Sequence, residues 1–238
     1  MTEQEEKNVR ALIPEPVPLL ESRKGGVANL ILASLLLEAT RMVDDGMDVP
    51  HIEAAGKKAF GISKGFLKWM DDEGTAEAIA FLDDLSDTSD DQEPLTQVYD
   101  NFFTPGKSSR AMLEKYSKAD DQKEVKWISE EETEKEADDL LLLDLLVKRF
   151  RAVAFMVSVE VVDAGLIRIS DVETFCSSSL GWEKGPFAMM NSMGVQEALR
   201  IVTERMELSH RKEINFPVPQ LLIVQAQRNE PWPVKSKK

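Results

Sequence analysis

Few side chains in this 238-residue sequence have types and spacing that suit catalysis. The two histidines, His51 and His210, and the single Cys176 are far apart in the chain and match no metal-ligand spacing. We expect both histidines at the surface and Cys176 as a small buried apolar residue. Adjacent carboxylates such as Asp44 and Asp45 suit acid–base work, but at helix ends they usually cap the helix or stay solvated. The residue types alone therefore do not predict an enzyme.

The glycines do not form a nucleotide-binding motif either. Gly61 and Gly65, and again Gly181 and Gly185, are spaced like parts of a phosphate loop, but each pair precedes a helix without following a strand. Their expected role is close approach between packed helices. The sequence accordingly predicts no cofactor site and no metal site in this chain.

The composition argues against several classes of function. A formal net charge of −14 argues against duplex nucleic acid, whose phosphates require a basic surface. The start, MTEQEEKNVR, is too charged for a signal peptide, and the longest apolar run, 30–37, is under half of the roughly 20 residues that span a membrane. A single cysteine forms no intrachain disulfide, which favours a reducing compartment. We predict a soluble, cytoplasmic protein that binds neither nucleic acid nor membrane.

Apolar residues recur at helical spacing, and no alternating strand pattern is present. One apolar helix is predicted over 29–45 and a longer one from about 138 through 162, each closed by a glycine. The longer helix carries the following apolar residues at helical spacing: Leu141, Leu145, Phe150, Val153, Val157 and Val161. The predicted fold is all-α.

A repeat organises the chain. Residues 61–78 (GISKGFLKWMDDEGTAEA) align without a gap on residues 181–198 (GWEKGPFAMMNSMGVQEA), and seven of the eighteen positions are identical. Before each segment come an apolar helix, a glycine turn and a second helix. The sequence therefore predicts an internal duplication.

The predicted domain boundaries follow this repeat. Residues 25–90 form repeat 1 and residues 141–210 form repeat 2, with an acidic connecting segment over 91–140. Prolines mark an extended N-terminal arm over 1–24 and a non-helical C-terminal tail over 211–238. Charged residues and turn formers over 83–97 and 118–139 favour a solvated linker with some loop order over a regulatory acidic patch. Between them, 101–107 (NFFTPGK) has enough apolar content to dock on a neighbour.

Residues 25–39, GGVANLILASLLLEA, resemble the first helix of the 3-hydroxyacyl-CoA dehydrogenase C-terminal domain, which typically reads G-F-x-x-N-R, an apolar run and E-A. The family's later motif G-[FY]-P-M-G-P-F has a counterpart at 61–66 and a closer one at 181–187. The tandem pair is similar to the one that closes multifunctional β-oxidation enzymes. The family's NAD-binding Rossmann domain and catalytic histidine have no counterpart, and Leu30 replaces the family's arginine.

The resemblance implies two helical units of the 6-phosphogluconate-dehydrogenase-C-terminal type, packed as an internal pseudo-dimer without a Rossmann domain. In the family, the asparagine of the first helix hydrogen-bonds near the reacting oxygen of the substrate. This implies a catalytic, substrate-positioning role for Asn29, with capping of the helix as an equal alternative. In repeat 2 the place that matches Asn29 falls within residues 149–152, which read RFRA and contain no asparagine. The resemblance therefore implies no second site.

Three functions are compatible with these observations. The favoured one is a substrate-side subunit that binds 3-hydroxyacyl-CoA in a cleft shared with a separate Rossmann-domain partner. The NAD is then on the partner, and the chain alone binds no cofactor and is inactive. The second is a non-catalytic scaffold of the same fold, and the third is a helical protein that binds acyl groups or small molecules in a pocket remote from Asn29. A homodimer beyond the internal pair is left open.

Overall fold

A computed structural model of the chain describes residues 28–86, 102–119, 125–129, 132, 138–210, 214, 216 and 218–234. Within these residues every regular element is an α-helix, so the predicted all-α class is confirmed. The ten helices of the described part are, in chain order, α1 (Ala28–Asp44), α2 (Val49–Phe60), α3 (Phe66–Glu73), α4 (Thr75–Ser86), α5 (Lys107–Lys118), α6 (Leu140–Asp163), α7 (Ile169–Ser178), α8 (Pro186–Met193), α9 (Val195–His210) and α10 (Gln220–Arg228). None of them is both long and apolar enough to cross a lipid bilayer.

The two most apolar helices, α1 and α6, form the centre of the molecule. They pack on each other, and α6 also packs on α2 and α9. In α1 the side chains of Ile31, Leu35, Leu36 and Leu37 are fully buried. Burying a leucine or isoleucine contributes about 1.5–3 kcal/mol, so a helix that is apolar on all sides belongs in the core.

The apolar spacing of α6 corresponds to a buried face along only part of the helix. Phe150 and Val153 are fully buried, but Leu141 and Leu145, in the first two turns, are 85% and 50% exposed. Helical spacing therefore located the helix correctly without showing which of its turns have a neighbour.

The described residues of the acidic connecting segment include a helix and buried aromatic side chains. Lys107–Lys118 forms helix α5, and Phe102 and Phe103 before it are buried, as is Trp127 after it. The burial of Phe102 and Phe103 confirms the prediction that 101–107 docks on a neighbour. The predicted solvated linker is wrong only at the buried Trp127, because an apolar side chain among the charges anchors that stretch to the core.

The predicted non-helical C-terminal tail is wrong for Gln220–Arg228, which forms α10. Pro219 occupies the cap position before the helix, where a missing N–H costs no helical hydrogen bond. Asn229 ends the helix in the left-handed region, with φ of 54°. The prolines thus mark the two ends of a helix, and Trp232 beyond it is buried.

The same local geometry occurs at positions 120 residues apart. Glu53 Oε1, on α2, accepts a hydrogen bond from the backbone N–H of Leu67 at 2.8 Å. Glu173 Oε1, on α7, accepts one from the backbone N–H of Phe187 at 2.8 Å. Each carboxylate thus binds an N–H in the first turn of the next helix, α3 or α8, whose own cap residue is a glycine without a side chain.

Gly65 and Gly185 lie directly against these two carboxylates. A Cβ on Gly65 would come within 2.5 Å of Glu53 Oε2, and one on Gly185 within 2.5 Å of the carboxyl group of Glu173. The prediction that these glycines permit close approach between helices is confirmed.

A second correspondence joins α3 and α8 to segments that follow later in the chain. Asp71, on α3, accepts hydrogen bonds from the backbone N–H groups of Trp127 at 2.7 Å and Ile128 at 3.1 Å. Asn191, 120 residues further on, accepts one from the N–H of Trp232 at 2.7 Å and donates one to its carbonyl oxygen at 3.0 Å.

We call helices α1–α5 with residues 125–129 unit 1, and residues 138–234 unit 2. That the units arose by duplication stays a prediction.

Candidate functional site

Asn29, the predicted site residue, is the second residue of α1, which begins at Ala28. Its side chain is 2% exposed, and its Oδ1 accepts no hydrogen bond from any described residue. A capping asparagine precedes its helix and accepts an N–H from the first turn, so the capping alternative is not supported. A buried polar atom without a partner costs about 1–3 kcal/mol, and such an atom in a native fold calls for a reason.

The position of Asn29 suits an oxygen that gains negative charge. The first N–H groups of a helix have no partner within the helix, and its N-terminal end carries the positive end of the dipole. A rotation of the side-chain amide by 180° exchanges its oxygen and its NH₂ group, so that Asn29 can offer a donor or an acceptor. This arrangement can orient a polar substrate atom, although it cannot itself transfer a proton or a hydride.

His51 is buried, so its predicted surface position is wrong. It is 6% exposed, its Nδ1 lies 2.7 Å from Asp48 Oδ2, and its Nε2 accepts the backbone N–H of Asp139 at 3.2 Å. With Nε2 accepting this N–H, Nδ1 is the ring nitrogen that can donate, and Asp48 is its acceptor. His51 thus joins the start of α2 to the start of α6. The signal in the sequence was an aspartate three residues before a histidine at a helix start.

Asn29 lies in the first turn of α1, whereas His51 follows the other end of this helix. This helix has 17 residues and is therefore about 25 Å long. Asn29 is in its first turn, whereas His51 follows its last residue, Asp44, by seven positions. The structure therefore does not bring this histidine to the predicted site residue.

A cluster of buried charges joins the two units near the middle of α1. Glu38 of unit 1 is fully buried, and its Oε1 accepts hydrogen bonds from Nε of Arg149 and Nε of Arg205, each at 2.8 Å. Its Oε2 accepts a third from Nη2 of Arg205 at 2.7 Å. Arg149 also binds Asp45 Oδ2 through Nη1 at 2.8 Å. We call these four residues the Glu38 cluster. Sequence reasoning missed it, although Glu38 belongs to the E-A motif and Arg149 to the segment that matches Asn29.

Glu38, at the centre of the cluster, stays ionised at neutral pH. Burial by itself would raise the pKa of Glu38, but the charges of Arg205 and Arg149 and the hydrogen bond from Arg205 lower it to about 2. Burial lowers the pKa of neighbouring Arg41 to about 10, while the charge of Glu38 opposes that change. Arg41 donates a hydrogen bond to the carbonyl oxygen of Phe102, and its guanidinium carbon lies 5.0 Å from the centre of the Phe102 ring. The cluster therefore holds α1 against α6 and α9, and acts on Asn29 only by fixing its helix.

The surroundings of the other candidate residues, Cys176 and Lys64, indicate structural roles. Cys176 is fully buried, and burial raises the pKa of its thiol, so its predicted role as a buried apolar residue is confirmed. Lys64 is exposed and lies 3.1 Å from Asp72 Oδ2. In the described part of the chain, no three His, Cys, Asp or Glu side chains are arranged to hold a metal ion. Its elements are all helices, so these residues do not provide the strand–turn–helix unit that a dinucleotide requires.

The fold and the site define an all-α domain that holds one buried amide at the start of its central helix. Residues 25–119 match the family described as 3-hydroxyacyl-CoA dehydrogenase, C-terminal domain. This match confirms the resemblance of the first helix and extends it through α5, beyond the predicted end of repeat 1. The match covers these residues alone, so the likeness is stated of this part of the chain. No curated protein is significantly similar to the chain.

Proposed function

We propose that this chain is the helical, substrate-side part of a 3-hydroxyacyl-CoA dehydrogenase acting in fatty-acid β-oxidation, completed by a separate polypeptide that binds NAD. The observation that carries the proposal is Asn29. It stands where the family has its substrate-side asparagine, and its buried Oδ1 has no partner among the described residues. The family match over residues 25–119 supports the same assignment.

In the proposed complex, Asn29 hydrogen-bonds the oxygen on C3 of the acyl-CoA. Such a bond strengthens when the oxygen gains negative charge, as it does when a 3-oxoacyl group is reduced. The positive end of the α1 dipole favours the same charge. Both effects orient and stabilise the substrate, and the nicotinamide that would donate the hydride to C3 belongs to the partner. The part that we assign to this chain is to position the substrate oxygen and to enclose it in a dry, apolar setting.

The test measures NADH-dependent reduction of acetoacetyl-CoA by the purified chain, first alone and then mixed with Rossmann-domain proteins from the same source. We expect no activity from the chain alone, activity in one mixture, and a roughly 10²–10³-fold lower kcat for Asn29→Ala in that mixture. The matched control is Ser34→Ala on the same helix, since the Ser34 hydroxyl is bonded only to the carbonyl oxygen of Leu30 in its own helix. Activity of the chain alone, or silence in every mixture, contradicts the proposal.

A non-catalytic scaffold of the same fold is the second candidate. The surroundings of His51 favour it, because both ring nitrogens are engaged at the end of α1 that is remote from Asn29. A scaffold predicts that Asn29→Ala leaves every measured activity unchanged, whereas changes to exposed apolar helix surfaces abolish partner binding.

A further inference from the structure

We propose that the first two turns of α6 form a self-association face, through which two copies of the chain pair about a twofold axis. Leu140, Leu141 and Leu145 are 70%, 85% and 50% exposed there. Adjacent leucines with this exposure form an apolar patch, and such patches mark interaction sites. The inference goes beyond the proposed function and does not rest on it, since Asn29 lies at the other end of α1.

The residues along this side of the helix have a 3-4-3 spacing. They are Asp138, Leu141, Leu145 and Lys148, and we call them the α6 face. Residues three and four apart lie on one side of a helix, and this spacing is the one that antiparallel helix pairs use for their contacts. Asp138 lies outside the helix, before the extended cap residue Asp139, and flanks the N-terminal end of this side. The face is thus two leucines between an acid and a base.

Antiparallel pairing makes this face complementary to itself. When two copies are centred midway between Leu141 and Leu145, each Leu141 lies against the Leu145 of the other copy. The same arrangement brings each Asp138 opposite the Lys148 of the other copy. A twofold interface requires a surface that matches its own copy, and this one matches in both apolar contact and charge.

The charges at both ends of the face are exposed and can change partners. The Asp138 side chain is 94% exposed and lies 3.8 Å from His51 Nε2. Lys148 is 41% exposed and lies 2.7 Å from Asp144 one turn away. An exposed pair of this kind contributes little to stability, so Lys148 can turn to a second copy at little cost. Asp139 is already engaged, because it caps the N–H groups of Leu141 and Leu142.

The face fits a weak dimer. It is smaller than a standard interface, which has about 20–30 residues on each side. The net charge of −14 also makes two copies repel each other, although salt screens this repulsion beyond about 8 Å at physiological ionic strength. We therefore expect a monomer–dimer equilibrium that shifts toward dimer as the concentration of protein rises.

The first experiment is sedimentation equilibrium of the full chain over a wide concentration range at physiological ionic strength. We expect a reversible dimer, and its loss when Leu141→Ser and Leu145→Ser are combined. The matched control is Leu208→Ser, which changes a 41% exposed leucine on α9 outside the face and should leave the dimer intact. A chain that stays monomeric at every concentration overturns the proposal, even if the face binds another protein.

A charge exchange tests the pairing itself. Lys148→Asp and Asp138→Lys should each weaken the dimer several-fold, because each places like charges opposite one another. The two changes in one chain restore an opposite-charge pair, so dimer formation should recover. Recovery is a result that a loss of folding stability would not produce. The proposed pairing is overturned if the single changes do not weaken the dimer, or if the double change fails to restore it. Neither outcome bears on the dehydrogenase assay.

Discussion

Units 1 and 2 share hydrogen bonds at the starts of α3 and α8, and differ where α1 meets α6. At the 120-residue spacing, Asn29 of unit 1 corresponds to Arg149 of unit 2 and Glu38 corresponds to Ser158. Asn29 has a buried oxygen without a hydrogen-bond partner among the described residues, whereas Arg149 binds Glu38 and Asp45 of unit 1. The same helical position thus offers a polar atom in one unit and supplies an ion pair between the units in the other.

Unit 2 also supports unit 1 through the turn between α7 and α8. Trp182 stacks on Phe60 at the end of α2, with ring centres 4.0 Å apart and an angle of 22°. The next residue, Glu183, donates its backbone N–H to the carbonyl oxygen of Phe60 at 2.9 Å. The comparison indicates that unit 1 carries the candidate site and that unit 2 fixes its position.

The largest effect is expected from a substitution in the ion pairs that join the two units. Glu38→Ala leaves Arg149 and Arg205 buried without their shared carboxylate, which should lower the free energy of unfolding by about 3–5 kcal/mol. Ser158→Ala, at the corresponding position of unit 2, removes a buried hydroxyl that has no partner and should change it by less than about 1 kcal/mol. Urea unfolding of both variants measures the difference. Similar costs would mean that the Glu38 cluster does not hold the units together.

The pH dependence of folding stability tests the same role of Glu38. The pKa of Glu38 is about 2 in the folded chain and 4.5 without its surroundings. Because folding lowers this pKa, the stabilisation is complete above about pH 4.5 and is lost as the pH falls toward 2. Burial raises the pKa values of Glu53 and Asp71, so these carboxyls act in the opposite direction.

The measurement that isolates Glu38 is the unfolding free energy of wild type minus that of Glu38→Gln at each pH. This difference should shrink between about pH 4.5 and pH 2. A difference that stays constant over that window would show that Glu38 is not the ionised centre of the cluster.

The smallest expected effect compares the two glycines at the shared helix starts. Gly65→Ala and Gly185→Ala should each destabilise the fold, by about 1–3 kcal/mol, because the new Cβ meets the carboxyl group of Glu53 or Glu173. Gly65→Ala should cost more, since its Cβ also comes within 2.8 Å of the backbone oxygen of Glu53, which cannot rotate away. At Gly185 the nearest atoms belong only to the Glu173 side chain. Thermal unfolding of the two variants ranks them, and the reverse order would contradict this reading of the contacts.

The sequence predicted the helices well because their signals are local. The bounds expected for α1 and α6, 29–45 and 138–162, agree with Ala28–Asp44 and Leu140–Asp163 within two residues. The glycine that ends each helix lies in the left-handed region, with φ of 79° at Gly46 and 70° at Gly165. Apolar spacing and turn chemistry are properties of neighbouring residues, so they can be seen without the fold.

The errors arose where burial depends on distant parts of the chain. Proline content suggested a tail without helix, yet α10 forms between two groups of prolines and packs on α9. His51 was expected at the surface, yet Asp139, 88 residues further along the chain, covers it. Leu141 has the spacing of a core residue and is exposed.

By itself the sequence determined the helical class, the helix bounds and the resemblance that singles out Asn29. Only the tertiary structure decided which charges are buried together, because Glu38 meets Arg149 and Arg205 across 111 and 167 residues of chain. It also decided that the Asn29 oxygen is buried without a partner and that two turns of α6 are uncovered. Hydrogen bonding along a helix depends on residues a few positions apart, whereas desolvation and charge pairing depend on whatever the fold brings close.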